Sequence, residues 1–348
     1  MGSQQTKGTA TRSFWSTMSE VEVSWLHKMP LLVLFGILSV VSAEVFSSSS
    51  PLWMYDSWGL FVVLPLYWGH GLLLLNAALY FKRSSITHLY LFGVIYGLYE
   101  SWMTKVIWAG YMGQSPQFGQ FLGFAIGEFM IIALFWHAFF SFIVPVTAFH
   151  LLGNSGISFA ITRRRLGVYL FVITTSSVFI GTKFPNNYTA LALVLGSNTL
   201  LLAGAFALAR KMNPRGFSLE NLRLGRTGLV IAGGYTAFLY VFLFFTVLPD
   251  RIAPPITLLL TVLFYLFIIM LLYKSEKKDI GFDAASLQDA FQRKHVEWGF
   301  GAIVGLSFIT SFLFDLAGVV GVFLYLGMML AGPILLVIAV YRVLTRKL

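Results

Sequence analysis

The chain has 348 residues; 57% are hydrophobic and only 11% are Asp, Glu, Lys or Arg. A soluble domain carries about 25% charged residues. The chain therefore lacks the polar surface of a soluble enzyme, a nucleic-acid-binding domain or a disordered protein. We attribute its net charge of +10 to basic loops on one side of the membrane and not to nucleic-acid binding. It has no cysteine, which excludes disulfides, thiolate metal sites and cysteine nucleophiles.

Long, continuous apolar segments predict an all-α, polytopic helix bundle that is integral to the membrane. A helix needs about 20 apolar residues to cross about 30 Å of hydrocarbon. We predict a cytoplasmic segment over 1–28 with an amphipathic interfacial helix, followed by a single transmembrane domain over 29–348. Its ten predicted spans are 29–47, 57–81, 88–112, 119–145, 166–182, 188–209, 227–248, 254–273, 298–317 and 320–341.

The basic residues give this bundle an orientation. With a cytoplasmic N-terminus, 21 of the 24 lysines and arginines fall in the inside segments. The positive-inside rule therefore predicts cytoplasmic N- and C-termini. We expect the protein to lie in the plasma membrane, with the lipid bilayer as its partner. The stretch Val41-Ser42-Ala43 also suits signal peptidase, and cleavage there would leave nine spans. We favour a retained first helix because the segment before it is long for a signal peptide.

Glu100 in span 3 is the most informative polar residue. An ionisable side chain inside a span is costly, so it marks a functional site by default. Glu100 lies about 12 residues, or about 18 Å, from the cytoplasmic end, near the middle of the bilayer. Gly93, Gly97 and Thr104 share its helix face, and the two glycines let a neighbouring helix approach closely. We therefore expect Glu100 to face a tightly packed helix.

Span 4 supplies a matching face. Three glycines and two polar residues are predicted to share one side of this span: Gly119, Gly123, Gly127, His137 and Ser141. If spans 3 and 4 form an antiparallel hairpin, Glu100, His137 and Ser141 meet in one buried cluster. Ideal geometry leaves His137 nearer the cytoplasm than Glu100, unless span 4 tilts or starts farther out. Within such a cluster, Glu100 is expected either to hold a proton at neutral pH or to bond to His137.

The remaining ionisable residues of the spans are candidates for a buried ion pair. Lys105 lies about 140° around span 3 from Glu100, so it is not an obvious partner of that carboxylate. Its predicted partner is Glu44 in span 1 or Glu128 in span 4. In an outside loop, Asn187 starts an Asn-x-Thr sequon and is a candidate for glycosylation.

Neither a cofactor nor a metal is predicted. The sequence has no His-Glu-x-x-His motif of an intramembrane metalloprotease. His70 and His137 are the histidines within the spans, and they lack the spacing of a known haem pair. We expect His70 to be a hydrogen-bonded core residue.

The segments Glu100-Ser-Trp-Met-Thr-Lys105 and His137-Ala-Phe-Phe-Ser141 resemble the CPBP family of CAAX-protease and bacteriocin-processing membrane proteins. That family carries Glu-Glu-x-x-x-Arg, Phe-x-x-x-His and His-x-x-x-Asn on successive spans. The resemblance implies that Glu100 activates water and that His137 is the third-motif histidine. Ser101 stands in place of the second Glu, Lys105 replaces Arg one residue late, and Ser141 replaces Asn; the Phe-x-x-x-His motif is absent. The chain also resembles uncharacterised polytopic membrane proteins.

Three functions follow as hypotheses. The first is a membrane-embedded hydrolase with Glu100 as base and His137 as the orienting or oxyanion-binding group. The second is a transporter or channel for a small solute or protons, with Glu100 as the coupling carboxylate. The third is a structural or assembly subunit, alone or as a homo-oligomer, whose 17% aromatic residues face lipid and membrane-protein partners. In that case the polar cluster serves only to join helices.

Overall fold

A computed structural model describes residues 25–111, 114–153, 159–278 and 290–347. Within them lie ten long helices: α1 (Trp25–Val40, continued by a turn over Val41–Val45), α2 (Gly59–Tyr80), α3 (Ile86–Thr104), α4 (Ile126–Gly153), α5 (Arg163–Lys183), α6 (Tyr188–Met212), α7 (Arg226–Thr246), α8 (Pro255–Lys274), α9 (Arg293–Phe312) and α10 (Phe314–Leu344). Short helices cover Trp53–Tyr55, Val106–Ala109, Leu219–Leu222 and Pro249–Arg251. The amphipathic helix predicted within 1–28 lies, up to residue 24, outside the described residues.

The prediction of an all-α, polytopic membrane protein is confirmed. Eight helices in the described part of the chain are long and apolar enough to cross a membrane. The other two long helices, α3 and α9, are more polar. In α3 nearly every side chain is buried, including Tyr90, Tyr96 and Ser101, so its polar groups face protein instead of lipid.

The bundle has a buried centre and an apolar periphery. Most side chains of α1, α3 and α4 are buried and form the core. The later helices leave large apolar side chains exposed, such as Phe245 on α7, Leu263 on α8 and Phe323 on α10. An exposed apolar surface of this extent is what a bilayer covers. The first four helices therefore position any buried site, and the later helices surround them.

The loops that are predicted to be cytoplasmic contact one another at one end of the bundle. Arg83, after α2, donates from Nε to the Ser275 hydroxyl after α8 (3.1 Å). Asn213, after α6, donates from Nδ2 to the His27 carbonyl at the start of α1 (3.0 Å). Strand β3 (Phe159–Ala160), before α5, pairs with strand β4 (Ala290–Phe291), before α9. At the opposite end, the loop after α1 contacts the last turns of α5.

The start of span 4 was predicted wrongly. Residues 119–125 form a hairpin of β1 (Gln120–Phe121) and β2 (Phe124–Ala125), and α4 begins only at Ile126. Gly119 and Gly123 adopt φ values of +74° and +80°, in the left-handed region that favours glycine. The spacing of four that suggests a helix face is here a consequence of turn geometry, so these two glycines do not belong to a helical stripe.

The end of span 3 was also predicted wrongly. Helix α3 stops at Thr104, because Lys105 takes a left-handed conformation with φ +60°. The short helix Val106–Ala109 follows, so residues 88–112 are not one continuous helix. By contrast, α4 passes through Pro145 and continues to Gly153.

Three helical stretches have wide turns closed by i→i+5 hydrogen bonds. They are Val41–Val45 at the end of α1, Gly59–Val63 at the start of α2 and Phe129–Ile143 in α4. Pro145 gives a reason for the last one, since a proline clashes with the carbonyl four residues before it in a regular α-helix. Wide turns of this kind are frequent at functional sites.

Candidate functional site

Helices α3 and α4 pack with almost no space between their backbones. A Cβ atom on Gly93 would lie 2.6 Å from the Ala138 Cα, and one on Gly97 would lie 2.7 Å from the Ala133 carbonyl oxygen. The two glycines of α3 therefore face a close neighbour. Their partners on α4 are alanines and not the predicted glycines, since a Cβ on Gly127 would meet the Phe118 ring instead.

This contact brings Glu100, His137 and Ser141 together. The His137 Nε2 lies 3.0 Å from the Glu100 Oε2, and the His137 Nδ1 lies 2.8 Å from the Ser141 Oγ. The exposed fractions of the His137 and Glu100 side chains are only 5% and 13%. His137 therefore does not lie nearer the cytoplasm than Glu100, as ideal helix geometry suggested, for two reasons. Helix α4 starts at Ile126, and its wide turns advance less per residue than ordinary helical turns.

The three residues differ in what they can reach. Ser141 is fully buried and bonds to a histidine one turn away on its own helix, so it holds the imidazole in place. Both nitrogens of His137 are engaged. The Glu100 Oε2, although close to the imidazole, has no hydrogen-bond donor aligned with it among the described residues. Glu100 thus contacts the imidazole without a well-aligned hydrogen bond.

A second carboxylate pair lies beside this cluster. The Tyr67 hydroxyl on α2 donates to the Glu44 Oε1 at the end of α1. The Tyr67 ring centroid is 6.0 Å from that of His137, and the Tyr96 ring lies 5.9 Å from both. Two acidic groups from different helices thus share one aromatic-lined region of the core.

Both pairs line a cavity of about 750 Å³. Its wall includes Glu44, Tyr67, Glu100 and His137, and its other members are mostly aliphatic or aromatic. The lining extends to Ser49 and Lys183, which are exposed at the end of the bundle where α1 and α5 stop. The cavity therefore connects the buried acids with one end of the bundle, opposite to the basic loops.

The three wide-turn stretches all contribute to this cavity. Glu44 belongs to the stretch in α1, Val62 to the one in α2, and His137 to the one in α4. The remaining wall comes from the outer end of α3, near its break at Lys105, and from α5, α7 and α10. The irregular parts of the central helices are thus concentrated around a single cavity.

The predicted ion pair of Lys105 with Glu44 or Glu128 is wrong. The Lys105 Nζ donates instead to three carbonyls at the end of α7, those of Leu243 (3.1 Å), Phe244 (2.5 Å) and Val247. A helix C-terminus attracts cations through its unpaired carbonyls. The left-handed turn at Lys105 ends α3 just before this side chain, so ideal helical angles do not describe where it points.

Glu128 has a separate role from the cavity acids. It is fully buried in the first turn of α4, and its Oε1 accepts a hydrogen bond from the Gln117 amide (3.1 Å). A carboxylate is favourable near a helix N-terminus. Its position connects α4 with the loop that precedes it.

The sequence analysis did not identify the tyrosines near this site, and it treated His70 only as a core residue. The His70 ring lies 4.4 Å from the Tyr96 ring and 4.0 Å from the Tyr99 ring, and its Nδ1 has no hydrogen-bond partner among the described residues. Tyrosine is frequent in this chain, so its presence alone carries no signal. Spacing could have found two of them, because Tyr67 is three residues before His70 and Tyr96 is four before Glu100.

The glycosylation candidate Asn187 lies at the start of α6. Asn187 is exposed and caps α6, where its side chain accepts from the Ala190 amide (3.1 Å); its glycosylation stays a prediction. Within the described ranges, no group of three or more His, Asp or Glu residues is arranged to hold a metal ion.

The chain belongs to a family of membrane proteins that is described as uncharacterised, and the model of this family matches residues 33–347. The chain is also similar to an uncharacterised protein of Archaeoglobus fulgidus, with 42% identity over 114 residues. That similarity covers 33% of this chain and 36% of the relative, so it spans about a third of each protein. No solved structure matches the chain.

Proposed function

We propose that this protein is a proton-linked transporter of a small solute, with ten spans and cytoplasmic termini. One observation carries the proposal: the Glu100–His137 contact borders a cavity that is open at one end, and the central helices around it have wide turns. Irregular helical backbone is tolerated at membrane depth where it lines a cavity, and many transporters build their sites from it. The distribution of basic residues and the meeting of the basic loops at one end support the orientation.

The two acids suit a coupling role. A buried carboxylate is costly in its charged form, so solute binding and proton binding at the same group compete. Glu44 and Glu100 lie in one cavity, each beside a group that can donate a hydrogen bond, Tyr67 and His137. Protonation of these acids would change the charge of the cavity, and such a change can bias the bundle between two conformations.

Hydrolysis is the second candidate, favoured by the carboxylate–imidazole–hydroxyl line through Glu100, His137 and Ser141. The same geometry also argues against hydrolysis. Each imidazole nitrogen already contacts a partner, Glu100 or Ser141, and the buried Ser141 does not line the cavity. Ser101 also stands in place of the second glutamate of the CPBP pattern. A site of this kind would still activate water at Glu100.

Labelling of single cysteines tests transport, and the chain has no natural cysteine that would interfere. Val62→Cys reports on the cavity wall, while Asp250→Cys and Lys277→Cys report on exposed loops at the two ends of the bundle. An impermeant maleimide is applied to right-side-out and inverted vesicles. We expect Asp250→Cys to react only from outside and Lys277→Cys only from inside.

Val62→Cys decides between the two candidates. A transporter exposes its cavity alternately to the two sides, so this cysteine should react from both, in proportions that change with pH. Glu100→Gln should remove the pH dependence and leave the two loop cysteines unchanged. Reaction of Val62→Cys from one side alone at every pH would overturn the transport proposal and leave the hydrolase.

A further inference from the structure

The charge of the cavity wall selects its ligand. Two carboxylates, Glu44 and Glu100, lie in its interior, whereas its lysine, Lys183, is exposed at the rim. The other groups that face the acids are the Tyr67 phenol on α2 and the His137 imidazole on α4. When both acids are ionised, an anion entering this cavity would meet two like charges in a region of low dielectric constant, which is strongly unfavourable. A cation would be attracted.

The rest of the lining adds an aromatic and apolar surface. The rings in the wall belong to Trp58, Tyr67, Tyr111, Trp136, Phe179 and Tyr325. Aromatic faces attract organic cations that lie within about 6 Å of the ring centre, and more strongly in dry surroundings. Aliphatic side chains such as Leu66, Ile131 and Met328 complete the wall. A small, strongly hydrated metal cation would gain little from such a surface.

The size of the cavity agrees with an organic ligand. Pockets for drug-sized molecules measure about 300–1,000 Å³, and this cavity measures about 750 Å³. Within the described residues, no set of three acidic or histidine side chains could hold a metal ion. The Glu44 and Glu100 carboxylates both line this cavity, where they can meet a cationic group.

We infer that the cavity binds a hydrophobic organic cation, such as a quaternary ammonium or phosphonium compound, in exchange for protons on Glu44 and Glu100. This inference rests on the proposed transport function and names its class of solute. The cation's apolar body lies against the aromatic and aliphatic wall, and its charge lies between the two carboxylates. Proton binding at either acid removes the attraction, so binding weakens as the pH falls.

The probe is tetraphenylphosphonium, which carries a permanent charge; tetraphenylborate is an anion of nearly the same shape. Binding to the purified full-length protein in detergent is measured by equilibrium dialysis, and proton release is measured with a pH dye in weakly buffered solution. We expect saturable binding of the cation, with proton release, and no saturable binding of the anion. Glu44→Gln and Glu100→Gln should each weaken binding by about tenfold or more.

Asp250→Asn is the matched control, because Asp250 is exposed on the cavity side of the bundle without lining the cavity. It should bind the cation as the natural protein does. Equal binding of the cation and the anion, or unchanged cation affinity in both glutamine variants, would overturn the inference. A protein that binds the cation with proton release but keeps Val62→Cys accessible from one side only would retain the ligand class and lose transport. Alternating access without cation binding would retain transport and lose the ligand class.

Discussion

The first turn and the middle of helix α4 each contain a contact to a buried glutamate, yet the two contacts are built differently. In the first turn, Glu128 is fully buried and accepts a hydrogen bond from the Gln117 backbone amide. In the middle, His137 meets Glu100 of α3, a carboxylate that borders a cavity. Each of the two glutamates has one buried oxygen without an aligned donor among the described residues. Glu128 has a fixed partner, whereas Glu100 has a partner that can itself gain or lose a proton.

Burial alone does not separate the two acids. Insertion cost applies to both glutamates, and the sequence favours Glu100 only through its position near the middle of the bilayer on a face with two glycines. Their partners and their access to a cavity separate them. If this comparison is correct, substitutions in the first turn of α4 should change stability, and substitutions in its middle should change function or disrupt the fold.

The largest effect is expected from Gly97→Leu. A side chain at this position would enter the backbone of α4 at Ala133, and backbone atoms cannot move aside. Overpacking of this kind costs about 1–3 kcal/mol or more, so we expect aggregation or a greatly lowered melting temperature in detergent. The measurement is thermal unfolding of the purified protein.

Gly127→Leu is the matched substitution in the first turn of α4. Its side chain would meet the Phe118 ring, which is 45% exposed and can rotate away, so a smaller loss is expected. Gly196→Leu is the control on a lipid-facing position with open space. Equal stability of Gly97→Leu and Gly196→Leu would show that α3 and α4 do not pack as described.

Much of the contact between α3 and α4 could be predicted from the sequence. The helical spacing of Gly93, Gly97 and Glu100 holds because α3 is regular up to Thr104. The predicted glycine stripe failed at Gly119, which has a positive φ just before the hairpin, and at Gly123, which has a positive φ in the two-residue turn of the hairpin. Local conformations of this kind depend on single residues, and hydrophobic periodicity does not reveal them.

The wide turns of α4 are a second feature that ideal geometry misses. Angles of 100° per residue placed His137 near Ser141, and they are indeed joined, but the rise per residue was overestimated. The ion pair predicted for Lys105 failed for a related reason, because the helix breaks at that residue. The aromatic wall and the cavity required the assembled bundle, since their residues come from seven long helices and three of the connections between helices.

An intermediate effect is expected from substitution of the two acids. Glu128→Ala removes the charged acceptor of the part-buried hydrogen bond from the Gln117 amide, and a hydrogen bond to a charged group contributes about 1.5–3 kcal/mol. Glu128→Gln keeps an acceptor oxygen and should be nearly neutral. Glu100→Gln should keep the melting temperature, because a neutral amide is less costly to bury than a charge.

The readouts are thermal unfolding in detergent and the pH dependence of Val62→Cys labelling. Only the Glu100 variant should alter the labelling, and only the Glu128→Ala variant should lower the melting temperature. Loss of the pH response in Glu128→Gln would erase the distinction between the two acids.

The smallest effect is expected from Ser141→Ala, and this variant also sharpens the choice between functions. The Ser141 hydroxyl bonds to the His137 Nδ1 and is fully buried, so its loss leaves one imidazole nitrogen without its partner. A single hydrogen bond of this type contributes about 0.5–1.5 kcal/mol to stability. If Ser141 only positions the imidazole, the variant should keep tetraphenylphosphonium binding within about threefold and lose a few degrees of melting temperature. Ser141→Thr keeps the hydroxyl, and it should restore the melting temperature. If Ser141 were instead a nucleophile, Ser141→Ala would abolish hydrolytic turnover while leaving cation binding intact, and that result would assign catalysis to the middle of α4.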